Sequence, residues 1–325
     1  MTFFEHIFSI TRRTLKSGIR CKVITILGIK IPLYSKFDKV YSKRFRGLTQ
    51  SELEFCVREQ HKQWFGHYPD LENPKTFNEK LCWYKCFYHN PLMNICADKV
   101  RARDYFVEHV PGGEKHLVKQ YGVYKSPDEI DFDSLPNSFV LKSNWGSGQQ
   151  IIVKNKKDLD IKKVCEQMKK WMNPKSNHYY FAFEFGYKNI PPRIVCEEFL
   201  DYEYKLEIFC FNGKPHFFWI VINDKTPDVR ANFYELDWTR MPIVNHYPNF
   251  DTKIKKPKCY DEILENAKKM CGDFPFVRCD FYITPDGYRF SEMTFFHWGA
   301  SQLFEPLEYN RIVGDMMKLP KTKMI

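Results

Sequence analysis

The clearest pattern of apolar and polar positions lies near the end of the chain, where two runs rich in aromatic and β-branched residues flank a turn. The runs are 276–284 and 288–295, and their composition favours β-strands. Pro285-Asp286-Gly287 between them is a turn sequence, because proline presets φ and glycine accepts φ > 0. The pattern therefore predicts a β-hairpin centred on Asp286.

This hairpin brings two acidic residues together. Pairing the strands around that centre places Asp280 opposite Glu292 and Arg278 opposite Thr294. Directly opposed residues have Cβ atoms roughly 4.5–5.5 Å apart, where two like charges are destabilising. A divalent cation would neutralise the pair, since Mg²⁺ takes one or two carboxylates plus substrate phosphates. A salt bridge to Arg278 or Arg289 with no metal is the alternative, and a one-residue slip would separate the acids.

The rest of the chain mixes helices with strand pairs. Thr76-Phe77-Asn78-Glu79 is a capping-box sequence that begins a helix extending to about residue 88. Other helices are predicted at residues 98–110, 160–172 and about 260–271, and strands at 139–142, 150–154, 193–196, 205–211 and 214–222. Because strand pairs dominate the C-terminal half, the predicted fold class is α+β.

Composition limits the class of protein. A chain of 325 residues with 43% apolar residues can bury a sizeable core in two or three lobes. Its eleven cysteines are scattered without a C-x-x-C pair, which is typical of reduced thiols in the cytoplasm. We find no cleavable signal peptide and no apolar run long enough to span a membrane.

The positive charge is concentrated at the N-terminus. Residues 1–50 have a net charge of +9, whereas residues 51–325 have a net charge of +1. Apolar runs at 3–10 and 23–29 accompany these basic residues. The combination predicts contact with the anionic inner face of the membrane, at roughly 1 kcal/mol per Lys or Arg near the surface; a strand packed on the body is the alternative. No nucleic-acid-binding module accompanies the charge, so no nucleic-acid partner is expected.

Two further motifs suggest phosphate or metal chemistry. Lys142 ends a predicted strand before Gly146-Ser147-Gly148, and glycines let backbone N–H groups approach phosphate oxygens while a lysine supplies charge. An ordinary hairpin loop beside a solvated lysine is the alternative. The chain lacks the P-loop, G-x-S-x-G and H-E-x-x-H motifs. Asp131-Phe132-Asp133 matches the D-x-D that nucleotide-sugar transferases use for metal.

Seven sequence blocks occur in one order over roughly residues 70–300. They are NPKTFNEKL, DKVRARDYF, FVLKSNWGSG, PPRIVCEEFL, FCFNGKP, NFYELDW and FPFVRCDFY…FSEMTFF. In this order they resemble the TupA-like ATP-grasp family, named for teichuronopeptide biosynthesis. The resemblance implies an ATP-grasp fold with two α+β lobes that clasp ATP. The implied segments are a basic arm (1–48), an N-terminal lobe (49–135), a small lobe with the glycine loop (136–200) and a large lobe with the metal site (201–325).

The resemblance also implies roles for individual residues. Nucleotide phosphates would contact Lys99, Lys142 and the Gly146-Ser147-Gly148 loop, and a hinge around adenine would comprise Glu197, Glu198 and Leu200. Magnesium (Mg²⁺) would be held by Asp280, Glu292 and Thr294, although many ATP-grasp enzymes have asparagine at the position of Thr294. Catalysis would involve Arg278, which would stabilise an oxyanion, together with Lys142. The resemblance leaves open whether Glu203, Lys205 or Glu207 contacts the nucleotide.

The function implied by the resemblance is an ATP-dependent carboxylate–amine ligase that works through an acyl phosphate. Its carboxylate would be a uronic acid of a bacterial surface polysaccharide or of its lipid-linked precursor, and its co-substrate an amino acid or small amine. The enzyme would be cytoplasmic and peripheral at the inner face of the membrane. A glycosyltransferase that uses Asp131 and Asp133, an ATP-dependent glycan kinase and a non-catalytic assembly protein are the alternatives.

Overall fold

The computed structural model describes residues 8–14, 20–26 and 29–325. Its contacts divide the chain into two compact units, Met1–Pro69 and Asp70–Ile325. The four segments implied by the family resemblance remain predictions. In the described ranges, no helix combines the length and the apolar composition needed to cross a membrane.

In its described residues, the first unit has a small antiparallel sheet and two α-helices. Strands β1 (Phe8–Thr14), β2 (Arg20–Ile26) and β3 (Ile29–Leu33) pair in the order β1-β2-β3. Helices α1 (Lys36–Tyr41) and α2 (Gln50–Phe65) each begin at a capping box. The second helix ends at Gly66, whose φ of 82° is left-handed and suits a glycine C-cap. Helix α2 was not predicted from the sequence, and part of the apolar run at 3–10 lies outside the described residues.

The second unit contains seven helices and nine strands among the residues described. The helices are α3 (Phe77–Phe87), α4 (Leu92–Cys96), α5 (Arg101–His109), α6 (Ile161–Trp171), α7 (Tyr179–Ala182), α8 (Tyr260–Met270) and α9 (Tyr309–Met316). The strands are β4 (Gln120–Tyr124), β5 (Phe139–Ser143), β6 (Gln150–Val153), β7 (Ile194–Glu198), β8 (Tyr204–Phe211), β9 (Lys214–Ile222), β10 (Arg230–Glu235), β11 (Phe276–Thr284) and β12 (Gly287–Thr294). The predicted elements lie within a few residues of these bounds, whereas α4, α7, α9, β4 and β10 were not predicted.

The predicted helix start at Asp98 is wrong by three residues. The Asp98 carboxylate accepts hydrogen bonds from the backbone N–H of Val100 and from the amide of Asn144. These bonds fix a turn before Arg101, where α5 begins. By contrast, the capping box at Thr76 is confirmed, because Thr76 and Glu79 bond reciprocally at the start of α3.

A four-stranded antiparallel sheet in the order β4-β7-β5-β6 forms the smaller layer of the second unit. One face of it packs with α6 around an apolar core. The buried members of this core are Ile130, Phe132, Leu135, Phe139, Leu141, Val153, Val164, Met168, Trp171, Ile194 and Cys196. The strand ends that carry Lys142 and Glu198 are thereby held on a rigid layer.

A five-stranded antiparallel sheet in the order β10-β9-β8-β11-β12 forms the larger layer. Every residue of β11 is buried, because this strand lies between β8 and β12. Phe209 on β8, Phe217 on β9 and Phe276 on β11 pack their rings together, with Phe209 and Phe217 stacked at 4.6 Å. The sheet therefore gives β11 a fixed position from which Arg278 and Asp280 project.

The predicted pairing of Asp280 with Glu292 and of Arg278 with Thr294 is confirmed, although the register near the turn is wrong. Thr284 pairs with Gly287 rather than with Tyr288, because Pro285 and Asp286 alone form the turn and Gly287 (φ 141°) already belongs to β12. A β-bulge next to Asp280 leaves one extra residue on β12 and restores the predicted register beyond it. Bulges of this kind are common beside active sites.

Candidate active site

The glycine loop connects β5 to β6 and lies next to Lys99. The Lys99 ammonium donates to the carbonyl oxygen of Gly146 (3.1 Å) and lies 3.5 Å from Oε2 of Glu292. Gly148 has a φ of 70°, which favours glycine. The structure therefore brings the loop, Lys99 and Glu292 into contact, although they are far apart in sequence.

A cavity of about 320 Å³ lies between the two sheets of the second unit. Its walls include the apolar side chains of Val118, Val140, Ile152, Phe199 and Leu200. Its polar lining includes Lys142, Lys154, Glu198, Asp201, Glu203, Asn223, Asp224, Lys225 and Tyr282. A cavity that combines apolar walls with charged groups is suited to a ligand that has both a flat ring and anionic groups.

Three ammonium groups act on Tyr282, which lines the cavity. Burial raises the pKa of its phenol, but Lys142, Lys205 and Lys225 together lower it below the ordinary value. These ammonium groups can donate charge-assisted hydrogen bonds to the anionic groups of a ligand.

All three lysines have carboxylate partners, and Lys225 Nζ lies 3.7 Å from Asp224 Oδ2. Lys142 Nζ lies 2.7 Å from Glu197 Oε2, and Arg103 lies 3.6 Å from the other oxygen of Glu197. Lys205 Nζ lies 3.1 Å from Asp224. Of the three predicted hinge residues, Glu198 and Leu200 therefore line the cavity, whereas the carboxylate of Glu197 orients Lys142.

Arg278 is the centre of a buried ion network. Its Nε and Nη2 each donate to a different oxygen of Asp280 at 2.7 Å, and its Nη2 lies 3.0 Å from Oε2 of Glu207. Thr294 Oγ1 lies 3.4 Å from Nη2 and 3.3 Å from Asp280 Oδ2. The Asp280 and Glu207 side chains are only 1% and 4% exposed, so both charges need a buried counter-charge. Arg278 supplies it for both, and Glu207 also has Lys205 at 3.8 Å.

A chain of hydrogen bonds fixes Nη1, the third nitrogen of the Arg278 guanidinium. Its Nη1 donates to Nδ1 of His297 at 2.9 Å, and Nε2 of His297 lies 2.9 Å from Oδ1 of Asn245. Because arginine only donates, Nδ1 must accept and Nε2 must carry the proton. The Asn245 amide then donates to the carbonyl of Leu303. Burial and the nearby Arg278 lower the pKa of His297 well below its ordinary value, so the imidazole stays neutral.

Glu292 has a different electrostatic environment from Asp280. Burial raises its pKa, but four cationic groups outweigh that effect and lower it to about 2. These groups are Lys99, Lys205, Arg278 and Lys142. Burial raises the pKa of Asp280 in spite of Arg278. Glu292, with a side chain 35% exposed, is therefore the more available anionic oxygen ligand.

These side chains fit a magnesium ion that takes most of its ligands from phosphates and water. Glu292 offers a carboxylate, and Asp280 offers oxygens that it shares with Arg278. No group of three or more His, Cys, Asp or Glu side chains suited to a metal occurs in the described part of the chain. A magnesium site with one or two carboxylates plus phosphates does not need such a group. The assignment of Thr294 as a third ligand stays a prediction.

Three residues of the ion network were not assigned to it from the sequence, although Glu207 was left open as a candidate for nucleotide contact. Glu207 lies opposite Asp280 across the β8–β11 pairing, and the indole N–H of Trp219 donates to it. The alternation of Lys205 and Glu207 along a strand was visible, but the partner strand was not. His297 and Asn245 are 52 residues apart and had no local signal.

The D-x-D motif has a local structural role. The Asp131 carboxylate accepts a hydrogen bond from the backbone N–H of Asp133 at 3.1 Å, which closes a turn. Both side chains are exposed and neither lines the cavity described above.

Two antiparallel sheets on either side of a charged cavity define a two-lobed α+β protein. The family model of the TupA-like ATPgrasp proteins matches residues 79–318. The chain belongs to this family, so the predicted α+β ATP-grasp fold and the predicted membership of a family of ATP-grasp ligases are confirmed. No curated protein matches the sequence significantly.

Several solved structures are similar to the chain at low identity. A carboxyaminoimidazole ribonucleotide synthase from Aspergillus clavatus, complexed with ATP, is 11% identical, with 61% of this chain and 44% of that chain covered and a TM-score of 0.37. The ATP-grasp ligase PsnB, complexed with a phosphomimetic variant of its minimal precursor, Mg and ADP, is 12% identical. The match covers 95% of this chain and 85% of PsnB, with a TM-score of 0.41. D-alanine–D-alanine ligase from Bacillus anthracis, complexed with ATP, is 14% identical, with coverages of 62% and 56% and a TM-score of 0.35. The chain spans 44% of the length of each of the first two structures matched.

Proposed function

We propose that this protein is an ADP-forming carboxylate–amine ligase that joins the carboxylate of a uronic acid in a bacterial surface polysaccharide, or its precursor, to an amino acid or small amine. The observation that carries the proposal is the position of Arg278. Three acceptors hold its guanidinium in a buried network. Arg278 lies on β11, which pairs with β12, the strand that carries Glu292.

The cavity is the proposed nucleotide site. Its apolar walls suit adenine, and Glu203, which lines it, would accept hydrogen bonds from ribose hydroxyls. The ammonium groups of Lys142 and Lys225 would face the phosphates. The structure favours Glu203 over Lys205 and Glu207 for nucleotide contact, because the latter two are bonded inside the ion network.

In the proposed reaction, a carboxylate oxygen of the uronic acid attacks the γ-phosphorus of ATP and ADP leaves. The amine nitrogen then attacks the acyl carbon, loses a proton, and the C–O bond to phosphate breaks. Arg278 would stabilise the oxyanion of the tetrahedral adduct. When bound, magnesium would neutralise charge on the phosphates, with Glu292 and Asp280 as its protein ligands. The protein otherwise positions the reactants and excludes water.

The test is phosphate release from Mg-ATP by the full-length protein with a pool of uronic acids and a pool of amino acids and amino alcohols. We expect release that requires both pools and is lost in Glu292→Gln. Arg289→Gln, on the same strand, is the matched control and should keep the activity, because Arg289 bonds Asp286 at the turn. ADP formation with the uronic-acid pool alone, without release of free phosphate and with a phosphorylated sugar as product, would instead indicate a glycan kinase.

We also propose that the N-terminal sheet contacts the anionic inner face of the membrane. Ile29, Ile31 and Leu33 alternate along β3 and therefore share one face, and their side chains are 67%, 45% and 46% exposed. The net charge of +9 in residues 1–50 complements anionic lipid.

Flotation with vesicles of phosphatidylglycerol and phosphatidylcholine tests this membrane proposal. We expect binding to fall with salt and to be lost when Ile29 and Ile31 are both replaced by serine. Ile161→Ser, at a position that is 44% exposed in the other unit, is the control. Unchanged flotation of the double variant would refute the proposed contact.

A further inference from the structure

Three aromatic rings form a cluster beside the proposed reaction centre, and they are not part of the nucleotide cavity described above. We call His246, Tyr247 and Trp298 the aromatic cluster. The centroid of Trp298 lies 4.4 Å from that of His246 and 5.1 Å from that of Tyr247. His246 is exposed, and the other two residues are half-buried. The cluster is therefore accessible to a ligand.

Two residues of the aromatic cluster have unusual backbone conformations. Trp298 has a φ of 50° and His246 a φ of 63°. A left-handed backbone is uncommon for a residue with a side chain. Strain of this kind persists only where the surrounding structure enforces it, and it is concentrated at functional sites. The two strained residues bring their rings into contact with each other.

Buried polar side chains hold the Trp298 loop in this conformation. The ammonium of Lys85 donates to the carbonyl of Gly299 at 2.7 Å, and the amide of Asn78 donates to the carbonyl of Ala300 at 2.9 Å. Lys85 is 1% exposed and Asn78 is 2% exposed. A buried charged group must be hydrogen-bonded to be tolerated, and Lys85 directs one of its bonds to this loop, which ties the loop to the core.

The aromatic cluster adjoins Arg278 through two contacts. His297, which bonds Arg278, is the residue directly before Trp298. Trp219 lies with its ring 5.7 Å from the Arg278 guanidinium and 6.0 Å from the ring of Tyr247. A molecule bound on the aromatic cluster would therefore lie next to the Arg278 guanidinium, which is proposed to stabilise the oxyanion of the reacting carboxyl group.

We propose that the aromatic cluster is the acceptor subsite and stacks on the pyranose ring of a hexuronic acid, with the carboxylate directed toward Arg278. This inference rests on the proposed function. The axial C–H groups of a pyranose carry partial positive charge and match the negative face of an aromatic ring. Tyr247 and His246 offer hydroxyl and imidazole groups for sugar hydroxyls. Trp298 Nε1 is buried and bonds no group of the described residues, so a small movement would let it donate to the sugar.

Saturation-transfer NMR on the full-length protein with Mg-ADP tests the subsite without requiring turnover. The probes are methyl glucuronide and methyl galacturonide, with methyl glucoside as the neutral comparison. We expect saturation of the uronide ring protons, and a Kd that Trp298→Ala weakens by about tenfold or more while Trp298→Phe changes it less than about threefold. Trp64→Ala, at a position 40% exposed in the other unit, is the control and should leave Kd unchanged. ADP affinity checks that each variant is folded.

Each outcome bears on the proposal. A Trp298→Ala Kd within about threefold of the wild-type value overturns the subsite, as does an absence of saturation transfer to both uronides in the wild-type protein. Binding of an aromatic amine, but of no uronide, that depends on Trp298 would also overturn it. The subsite survives, and the ligase proposal fails, if uronide binding depends on Trp298 while phosphate release never requires an amine.

Discussion

Replacing Arg278 with methionine tests the buried ion network. Methionine keeps much of the apolar volume of the side chain but removes the four polar contacts of the guanidinium with Asp280, Glu207 and His297. Two carboxylates with side chains 1% and 4% exposed would lose their main counter-charge. Breaking a buried ion pair from one side costs about 3–5 kcal/mol. We expect the free energy of unfolding to fall by about that amount at pH 8.

The pH dependence makes this prediction specific. Without Arg278, burial would raise the pKa of Asp280 still further above its unfolded value of about 3.9. Between the unfolded pKa and the raised native pKa, the native state would hold a proton that the unfolded state has lost. The variant therefore becomes less stable as the pH rises between these two pKa values. The decrease in the free energy of unfolding caused by Arg278→Met should therefore be smaller at pH 5 than at pH 8. The difference should be up to about 1.4 kcal/mol per pH unit for each carboxyl group.

Urea denaturation at both pH values measures this effect. The control is Arg289→Met, which breaks an ion pair with Asp286, whose side chain is 67% exposed, and should cost about 1 kcal/mol or less. The reasoning is wrong if Arg278→Met costs no more than Arg289→Met, or if its deficit grows as the pH is lowered.

Three further predictions concern other residues of the site. Since His297 is held neutral, the free energy of unfolding of the wild-type protein should fall as the pH drops below 6.5, where the unfolded state alone takes up this proton. His297→Asn should reduce the slope of the free energy of unfolding against pH by up to about 1.4 kcal/mol per pH unit in urea titrations, and an unchanged slope would contradict the neutral assignment. Lys142→Met should weaken ADP binding by about 10- to 100-fold in calorimetry, as expected for a charged hydrogen bond, whereas Lys169→Met, at a surface ion pair, should not. Gly148→Ala should lower the free energy of unfolding by about 1–2 kcal/mol in thermal unfolding, because alanine is strained at a φ of 70°. Open space surrounds the Cβ position, so no steric clash adds to this strain, and no loss of stability would contradict the left-handed turn.

Local signals in the sequence were enough to predict the reactive hairpin. A proline–aspartate–glycine turn between two β-rich runs predicted the pairing of Asp280 with Glu292, which the structure has. The bulge beside Asp280 could not be predicted, because its position depends on how β12 twists against its neighbour. The pairing around the turn was consequently wrong by one residue.

Long-range contacts account for what the sequence did not reveal. Glu207 joins the site because β8 pairs with β11, and a pairing between strands that are distant in sequence leaves no local pattern. His297 and Asn245 meet for the same reason. Strands β4 and β10, at the outer positions of their sheets, were also not predicted.

The most direct test of the central claim is the fate of oxygen from the sugar carboxylate. The full-length protein would be given a uronic acid labelled with ¹⁸O in both carboxyl oxygens, Mg-ATP and the amine pool, and the released phosphate would be analysed by mass spectrometry. The account predicts that each phosphate carries one ¹⁸O atom and that the amide retains the other, because the acyl phosphate transfers one carboxyl oxygen to phosphorus. Amide formation with unlabelled phosphate would contradict it, since the carboxylate would then have been activated without a bond to the γ-phosphorus.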